Sequence, residues 1–355
     1  MRQLNKGLSR GFALADVLAL VTVSGIATAV MPAVVNSSRA SAQRSQNVAN
    51  HRLLGRAQAM YMTENADQFA GVNTSGAAYQ GIGSSPTGLT TFADALYGET
   101  SSTTPTSTWD WISPILGTKG RFSENRAGRL AQILNRLAPP EAARTNDFVF
   151  LGGATDPDVA DFEAVIAGGV SQVSYLQPVS FQLYSPAADP DFVPDAGPPG
   201  GDFFFRTKLR RGFSGGPAIA PPNFRPVLDR VGTSPSGKVL HADGTRFVDS
   251  DGLVSITASV DSMVNGNFGT LGPILDSSNA YGRSAFGAPF NLDLTFRQDD
   301  GIHTTMFDGA VRFMTRVQAW TDPAPWYPGG SVFTGEGATA ESIEFADANY
   351  EGILP

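Results

Sequence analysis

The sequence contains no cysteine. Disulfides, thiol catalysis and cysteine-based metal sites are therefore excluded, and an oxidising compartment poses no thiol problem. Histidine is almost as scarce: only His51, His241 and His303 occur, none four residues from another and none in a His-Glu-x-x-His pattern. A lone histidine on a helix face, as His51 reads, is expected to be solvated. Charged residues make up 16 % of the chain, below the usual quarter. Acids outnumber bases, for a net charge of −8. Phosphate backbones call for clustered Lys and Arg, so the balance argues against nucleic acid as a partner. No phosphate loop or dinucleotide fingerprint is present. Gly212-Phe213-Ser214-Gly215-Gly216 fits Gly-x-Ser-x-Gly, but PAIAPPNF follows it where a nucleophile elbow needs a helix. No catalytic residue is assigned, and the chain reads as a non-enzyme.

What the chain does have is Gly and Pro, together about 18 % of 355 residues, and 23 Phe against 8 Tyr. That mix suits a loop-rich, β-leaning protein. It also has one long apolar run. Residues 1–11 (MRQLNKGLSRG) carry Arg2, Lys6 and Arg10 and no acid, and residues 12–35 hold 18 apolar side chains out of 24. As a helix the run spans about 36 Å, enough to cross a hydrocarbon core of about 30 Å. A basic head before an apolar run is an export signal or an anchor. Ala40-Ser41-Ala42 offers a signal-peptidase pattern, and a retained single span is the other plain reading. Asp16 is the odd residue, since a carboxylate at membrane depth costs roughly 2.5–3.5 kcal/mol. Near a helix start it is also favoured by the helix dipole.

The stretch RGFALADVLALVTVSGIATAVMPAVV resembles the prepilin-type N-terminus of type IV pilins and of the pseudopilins of type II secretion. In that family a short basic leader ends in Gly, Phe follows, and Glu is the fifth mature residue. Here Gly11 ends the leader, Phe12 follows, and Asp16 takes the fifth position. Pro32 sits one place before the family's usual proline. The resemblance implies that a prepilin peptidase cuts after Gly11 and methylates the amine of Phe12. It also implies that Asp16 pairs with such an amine on a neighbouring subunit. Asp16 is four residues from Phe12, about 6 Å along a helix axis. Asp is one methylene shorter than the family's Glu. Gly25, Ala29 and Ala33 form a small-residue stripe that permits close helix approach. Pro32 frees the Thr28 carbonyl, so a kink or local melting is expected there.

The helix is expected to continue to about residue 65, apolar first and amphipathic after. Leu53, Leu54, Ala57, Met60 and Tyr61 form its buried stripe, with Arg44, Arg52 and Arg56 off that face. QRSQNVANHRLLGRAQAMYMTENADQF extends the resemblance to a large bacterial pseudopilin-like group, which usually carries Cys in place of Asn47. That group ends in a His-x9-Asp-Gly motif and a strand. RQDDGIHTTMFDGAVRFM aligns through Asp308, Gly309, Arg312 and Phe313, but the motif's His position is Gln298.

Residues 70–108 are Gly/Ser/Thr-rich and read as a loop. WDWISPILG reads as a plug at a core edge. Ser123 is expected to cap a helix through Leu137 that buries Leu130, Ile133, Leu134 and Leu137, with Pro139-Pro140 as its stop. From Asp147 the pattern turns to strands: DFVFLG, EAVIAGG, VSYLQPVSFQLY, DFFFRTKLRR, KVLHADGTRFV, LVSITASV, NLDLTFR and HTTMFDGAVRFM. Asp243-Gly244 and Asp308-Gly309 both read as type I′ hairpins. Asp243, Asp249 and Asp251 are a candidate Ca²⁺ set, with turn-and-edge acids the plainer reading. The last 35 residues hold six acids and no base, which predicts a solvated acidic tail.

The expected architecture is α+β: a long N-terminal helix packed on an antiparallel β-rich, pilin-like head with insertions. Its divisions are a leader (1–11), a transmembrane or filament-core helix (12–35) and an amphipathic extension (36–66). An insert with a short helix (67–146), a β-rich head (147–320) and an acidic tail (321–355) follow. The function implied is a filament subunit at the inner membrane, head outside the cytoplasm or at the cell surface. Its partners would be prepilin peptidase, other subunits and the membrane. The alternative is an exported, anchored, β-rich binding domain, possibly for glycans, using Trp109, Trp111, Trp320 and Trp326. The expected mature protein begins at N-methylated Phe12 by mass spectrometry; a start at Gln43 or Met1 would remove the prepilin reading.

Overall fold

The computed structural model describes residues 14–71, 101–106, 110–149, 158–181, 217–221, 224–245, 255–257, 268–270, 272–276, 278–283 and 288–355, the side chains of 14–37, 148–149, 255–257, 279 and 288–291 excepted. The chain forms two compact units, residues 1–46 and 47–355. Helix α1 (Leu14–Glu64, 51 residues) is assigned without a break through Pro32, so the expected local melting is not seen. Gly11 and Phe12 lie outside the described residues, and Asp16, Gly25, Ala29, Pro32 and Ala33 outside the described side chains. Among the residues described with side chains, no helix is long and apolar enough to cross a membrane; the 12–35 span is not among them.

The second unit is built on one mixed sheet. Its strands are β4 (Tyr175–Pro178), β6 (Val239–Asp243), β8 (Gly269–Thr270), β9 (Gly301–Met306) and β10 (Val311–Thr315), in the order β10-β9-β6-β4-β8. Three pairings are antiparallel, but β4 and β8 run parallel. Two-stranded pairs surround it: β1 (Arg144–Thr145) with β3 (Val170–Ser171), β2 (Asp147–Val149) with β7 (Ser255–Thr257), and β5 (Ala218–Ile219) with β11 (Val332–Phe333). The expected antiparallel, strand-dominated head is thus corrected to a mixed α and β unit. Helices replace two expected strands. EAVIAGG lies in and just after α4 (Val159–Ala167), where Phe162 and Ile166, one turn apart, are the buried pair. NLDLTFR lies mostly in α5 (Ala288–Thr295). Short apolar runs fit either period, and packing decides between them. DFFFRTKLRR and Ser214 lie outside the described residues.

Helix α2 (Ile112–Gly120) follows the plug residue Trp111, whose indole N–H donates to the Phe268 carbonyl at 3.0 Å. Asp110, fully buried, accepts from the backbone of Thr106, Ile112 and Ser113 and from the hydroxyls of Thr106 and Ser113. Helix α3 (Arg126–Arg136) buries Leu130, Ile133 and Leu134, with Leu137 also buried just beyond it. Its cap is Asn125, not Ser123: Asn125 accepts from the Gly128 N–H at 2.8 Å.

The expected acidic tail is a folded segment. It contains part of α6 (Arg316–Thr321), β11 and α7 (Ala340–Asn349), and it buries Trp326, Tyr327 and Leu354. Five of its six acids are exposed, and the sixth, Asp322, is half-buried and accepts from the Tyr350 hydroxyl at 2.7 Å.

Both expected type I′ turns are corrected. Asp308-Gly309 does join β9 and β10, but only Gly309 has positive φ, at +83°. The Gly309 N–H donates to the Met306 carbonyl at 2.8 Å and Ala310 N–H to the Asp308 carboxylate at 2.9 Å. This is a longer loop ending in a left-handed glycine, the common three-residue-type hairpin. Asp243-Gly244 makes no hairpin, because β6 pairs with β4 and β9 on either side.

Helix α1 meets the sheet closely at Gly55, where a Cβ would stand 2.9 Å from Thr305 Cγ2. Alanine is the better helix former by about 1 kcal/mol. Thr305 is β-branched and fully buried, so it has little room to yield. Gly55→Ala is therefore expected to destabilise the chain by about 1–3 kcal/mol in denaturant titration despite that helix propensity. A neutral or stabilising result would mean that the helix and sheet are not held this close.

Candidate functional site: a buried polar clamp

Alternation on three adjacent strands builds one polar face. On β4 it presents Tyr175, on β6 His241 and Asp243, and on β9 His303 and Thr305. The register makes these neighbours: Tyr175 is opposite Asp243, and His241 is opposite Thr305. A β-bulge falls between Val239 and His241, since Val239 pairs with Met306 but His241 with Thr305. Without that extra residue Val239, His241 and Asp243 would share a face; with it, Val239 turns away and the two polar residues stay together. Against this face α1 lays Asn47, Asn50, His51, Leu54 and Gln58, at helical spacing and all buried.

Asp243 is the centre, with 1 % of its side chain exposed. Asn47 Nδ2 donates to both carboxylate oxygens at 3.0 and 2.9 Å, His51 Nε2 lies 3.1 Å away, and Arg297 Nη2 donates at 3.2 Å. The His303 backbone N–H donates at 2.7 Å. Further hydrogen bonds hold these donors in place. The Tyr175 hydroxyl donates to Asn47 Oδ1 at 2.8 Å and accepts from Asn50 Nδ2 at 3.0 Å. Asn50 Nδ2 also donates to the Leu137 carbonyl at 2.8 Å. His51 Nδ1 lies 3.0 Å from the Thr305 hydroxyl. A neutral His51 satisfies both contacts by donating Nε2–H to the carboxylate and accepting from Thr305.

Burial alone would raise the Asp243 pKa. The Arg297 cation, His51 and the hydrogen bonds from His303 and His51 outweigh it and hold the carboxyl well below the usual range. Burial lowers the pKa of His51 against the pull of Asp243. Burial, reinforced by His51, lowers that of His241 further. The cluster thus holds one ion pair, Asp243 with Arg297, with the neutral rings of His51 and His241 beside it. Burial also pushes the Tyr175 hydroxyl well above its ordinary range. His241 is stacked between His51, ring centres 5.1 Å apart, and Trp111, 5.0 Å apart. Among the described residues neither of its ring nitrogens makes a hydrogen bond of good geometry, although the His51 backbone lies near enough to favour the protonated ring.

Several sequence expectations change here. His51 is fully buried rather than solvated, and all three histidines converge although the sequence separates them. Asp243 is not a turn-and-edge acid but the buried hub, its carboxylate occupied by donors from the chain; Asp249 and Asp251, the other members of the candidate Ca²⁺ set, lie outside the described residues. The expected stripe on α1 is also corrected. Leu54 and Ala57 are buried, but Leu53 and Met60 are each 48 % exposed, because the inward face is mainly polar. The aromatic platform does not form: Trp111 and Trp326 are in the core, Trp320 is partly covered by Arg283, and Trp109 lies outside the described residues. Of the motif hairpin, Arg312 and Phe313 stand exposed on β10, the Phe313 ring 5.5 Å from that of His303. Gln298 donates to Glu141, 3.3 Å away, and is not in the cluster's bonding. The signal that could have revealed the site is parity: His-x-Asp in one strand and His-x-Thr in another each place two polar groups on one face.

Thr305, His51 and Asp243 have the connectivity of a nucleophile–base–acid relay. All three are sealed, with exposures of 0, 0 and 1 %, so as arranged the relay has no side open to a substrate. Among the described residues no group of His, Asp and Glu is arranged to hold a metal. What the arrangement does is fix α1 on the sheet. Sliding the helix by one turn, about 5.4 Å, would strip Asn47 and His51 from a buried carboxylate. Comparison with protein-family models, curated proteins and solved structures finds no match.

Asp243→Ala leaves Arg297 buried without its counter-ion and is expected to cost about 3–5 kcal/mol of unfolding free energy. Acid sensitivity follows from the pKa directions. The Asp243 contribution is present above its unfolded value near 3.8 and is lost as pH falls through its lower folded value. His51 and His241 stay neutral in the fold while the unfolded chain takes up protons near 6.5, so each loses stability as pH falls below 6.5. Unfolding free energy is expected to decline from pH 6.5 downward in the wild type. In His51→Gln/His241→Leu the decline should begin only near 3.8; an unchanged profile would mean that neither histidine is held neutral.

Proposed function

We propose that this chain is a structural subunit, a pilin or pseudopilin, of a type IV pilus or type II secretion-like filament. Prepilin peptidase would release it from its leader at Gly11. The observation that carries this reading is helix α1. It begins two residues after Phe12, runs 51 residues, and is held in the head from Asn47 onward by the Asp243 cluster. A filament subunit has two mechanical needs: a helix that packs with its neighbours, and a joint that does not slip. The cluster supports the second, since α1 can seat on the sheet at one rotation and one axial position only.

On this reading cleavage creates an α-amino cation at Phe12. Asp16 of a neighbouring subunit pairs with it in the apolar filament core, which offsets the cost of a carboxylate there. Gly25, Ala29 and Ala33 let the helices approach. The binding-domain alternative gains no support from the tryptophans, since Trp111 and Trp326 are buried.

Asp16→Ala in the native host is expected to abolish filament assembly while leaving export and membrane insertion intact. Assembly at wild-type level would overturn the pairing; loss of export with assembly would show that the residue serves targeting instead.

A further inference from the structure

Among the described residues seven large apolar side chains are notably exposed, and five of them fall on two patches. The first is the outer stripe of α1. Leu53 and Met60, one heptad apart and each 48 % exposed, lie with the exposed Arg52 and Arg56. The Lys119 ammonium reaches Met60 Sδ at 3.5 Å. Residues 39–64 of the helix contain four arginines and one acid, Glu64, exposed one turn beyond Met60, so with Lys119 the stripe is still basic on balance.

The second patch is a small ribbon. Val332 on β11 is paired with Ile219 on β5 and bridged on its other side to Ile353. Paired positions put their side chains on one face, so three β-branched residues stand in a row, 41, 49 and 59 % exposed in the order Ile219, Val332, Ile353. The chain that follows β11 and leads to Ile353 is acidic. Residues 332–355 contain five acids and no base, and Glu336, Glu344, Asp347 and Glu351 are exposed. The nearby Arg230 is paired with Asp229 at 3.6 Å.

We propose that these patches bind each other between copies of this chain, the α1 stripe of one seating on the Ile219–Val332–Ile353 ribbon of the next. The inference deepens the filament reading and rests on it. Either patch against itself would oppose like charges; the two together match apolar centre to apolar centre and base to acid. Such a contact joins different surfaces head to tail, and a heterologous contact that does not close on itself builds a filament. Surfaces that stay uncovered in a monomer rarely gather aliphatic side chains in this way.

The absence of cysteine makes the test direct, because introduced thiols are the only ones. Full-length Met60→Cys and Val332→Cys chains, differently tagged, are co-expressed, oxidised in the cell's own membranes and run without reductant. The expected product is a mixed disulfide dimer in excess of either homodimer, and a ladder when both changes are in one chain. Arg56→Glu should lower the mixed product about five-fold, as for a rim charge pair of about 1 kcal/mol, and Glu351→Arg should restore it. Val317→Cys, at an exposed site outside both patches, should give no mixed product with Met60→Cys. Homodimers in excess, no cross-link, or Met60→Cys shielded by anionic vesicles instead of by Val332→Cys would each overturn the proposal, the last assigning the stripe to a membrane. The N-terminus of the same samples separates the two claims. Methylated Phe12 without a ladder keeps the filament reading and loses this contact; an intact Met1 with a ladder does the reverse.

Discussion

A single buried carboxylate organises the head of this protein. Asp243 sits where water cannot reach it, and an ion there is tolerable only if other groups replace its hydration. The replacements come from three places in the chain: Asn47 and His51 on α1, the backbone of β9, and Arg297 just after α5. None of these can be moved alone. The cluster therefore works as a set of coordinates, tying helix, sheet and C-terminal hairpin into one arrangement. An apolar interface of the same size could be as stable or more so, but it would tolerate sliding and rotation. Ionic and amide contacts do not, because a misplaced helix leaves unpaired polar atoms behind.

That distinction bears on the proposed work. A filament subunit carries load through the junction of its helix and its head, where rigidity matters more than net stability. The histidines add a chemical condition. Held neutral by burial, His51 and His241 make the junction begin to weaken in mild acid, where the unfolded chain gains protons. His241 is stacked between His51 and Trp111, and among the described residues its ring nitrogens make no hydrogen bond of good geometry, a cost that packing of the two flanking rings helps offset.

The outer surface follows a simpler rule. Once the inward face of α1 is taken by polar groups, its aliphatic residues at 53 and 60 are left facing out among arginines. The C-terminal segment reverses the charge: it buries Trp326, Tyr327 and Leu354 and exposes five of its six acids. Opposite signs on two apolar patches are what a head-to-tail assembly of one chain needs.

Much of the local architecture is legible in the residues. The long helix, the helix at Leu130–Leu137, the strands near 175, 240, 256 and 303–313, and the Asp308-Gly309 hairpin follow from period and turn chemistry, because those signals act over a few residues. The basic residues 1–11, Phe12 and Asp16 are likewise features of sequence order, and the proposed prepilin reading rests on them. Three things needed the tertiary structure. Whether a short apolar run became strand or helix depended on what it packed against, as α4 and α5 show. The turn at Asp243-Gly244 never formed, because β6 found partners on both edges. The clamp itself joins positions 47, 51, 243, 297 and 303, whose meeting depends on a strand order and on one β-bulge that turns His241 and Asp243 to the helix. Pattern within a segment reports which face a side chain takes; only the fold decides which other faces it meets.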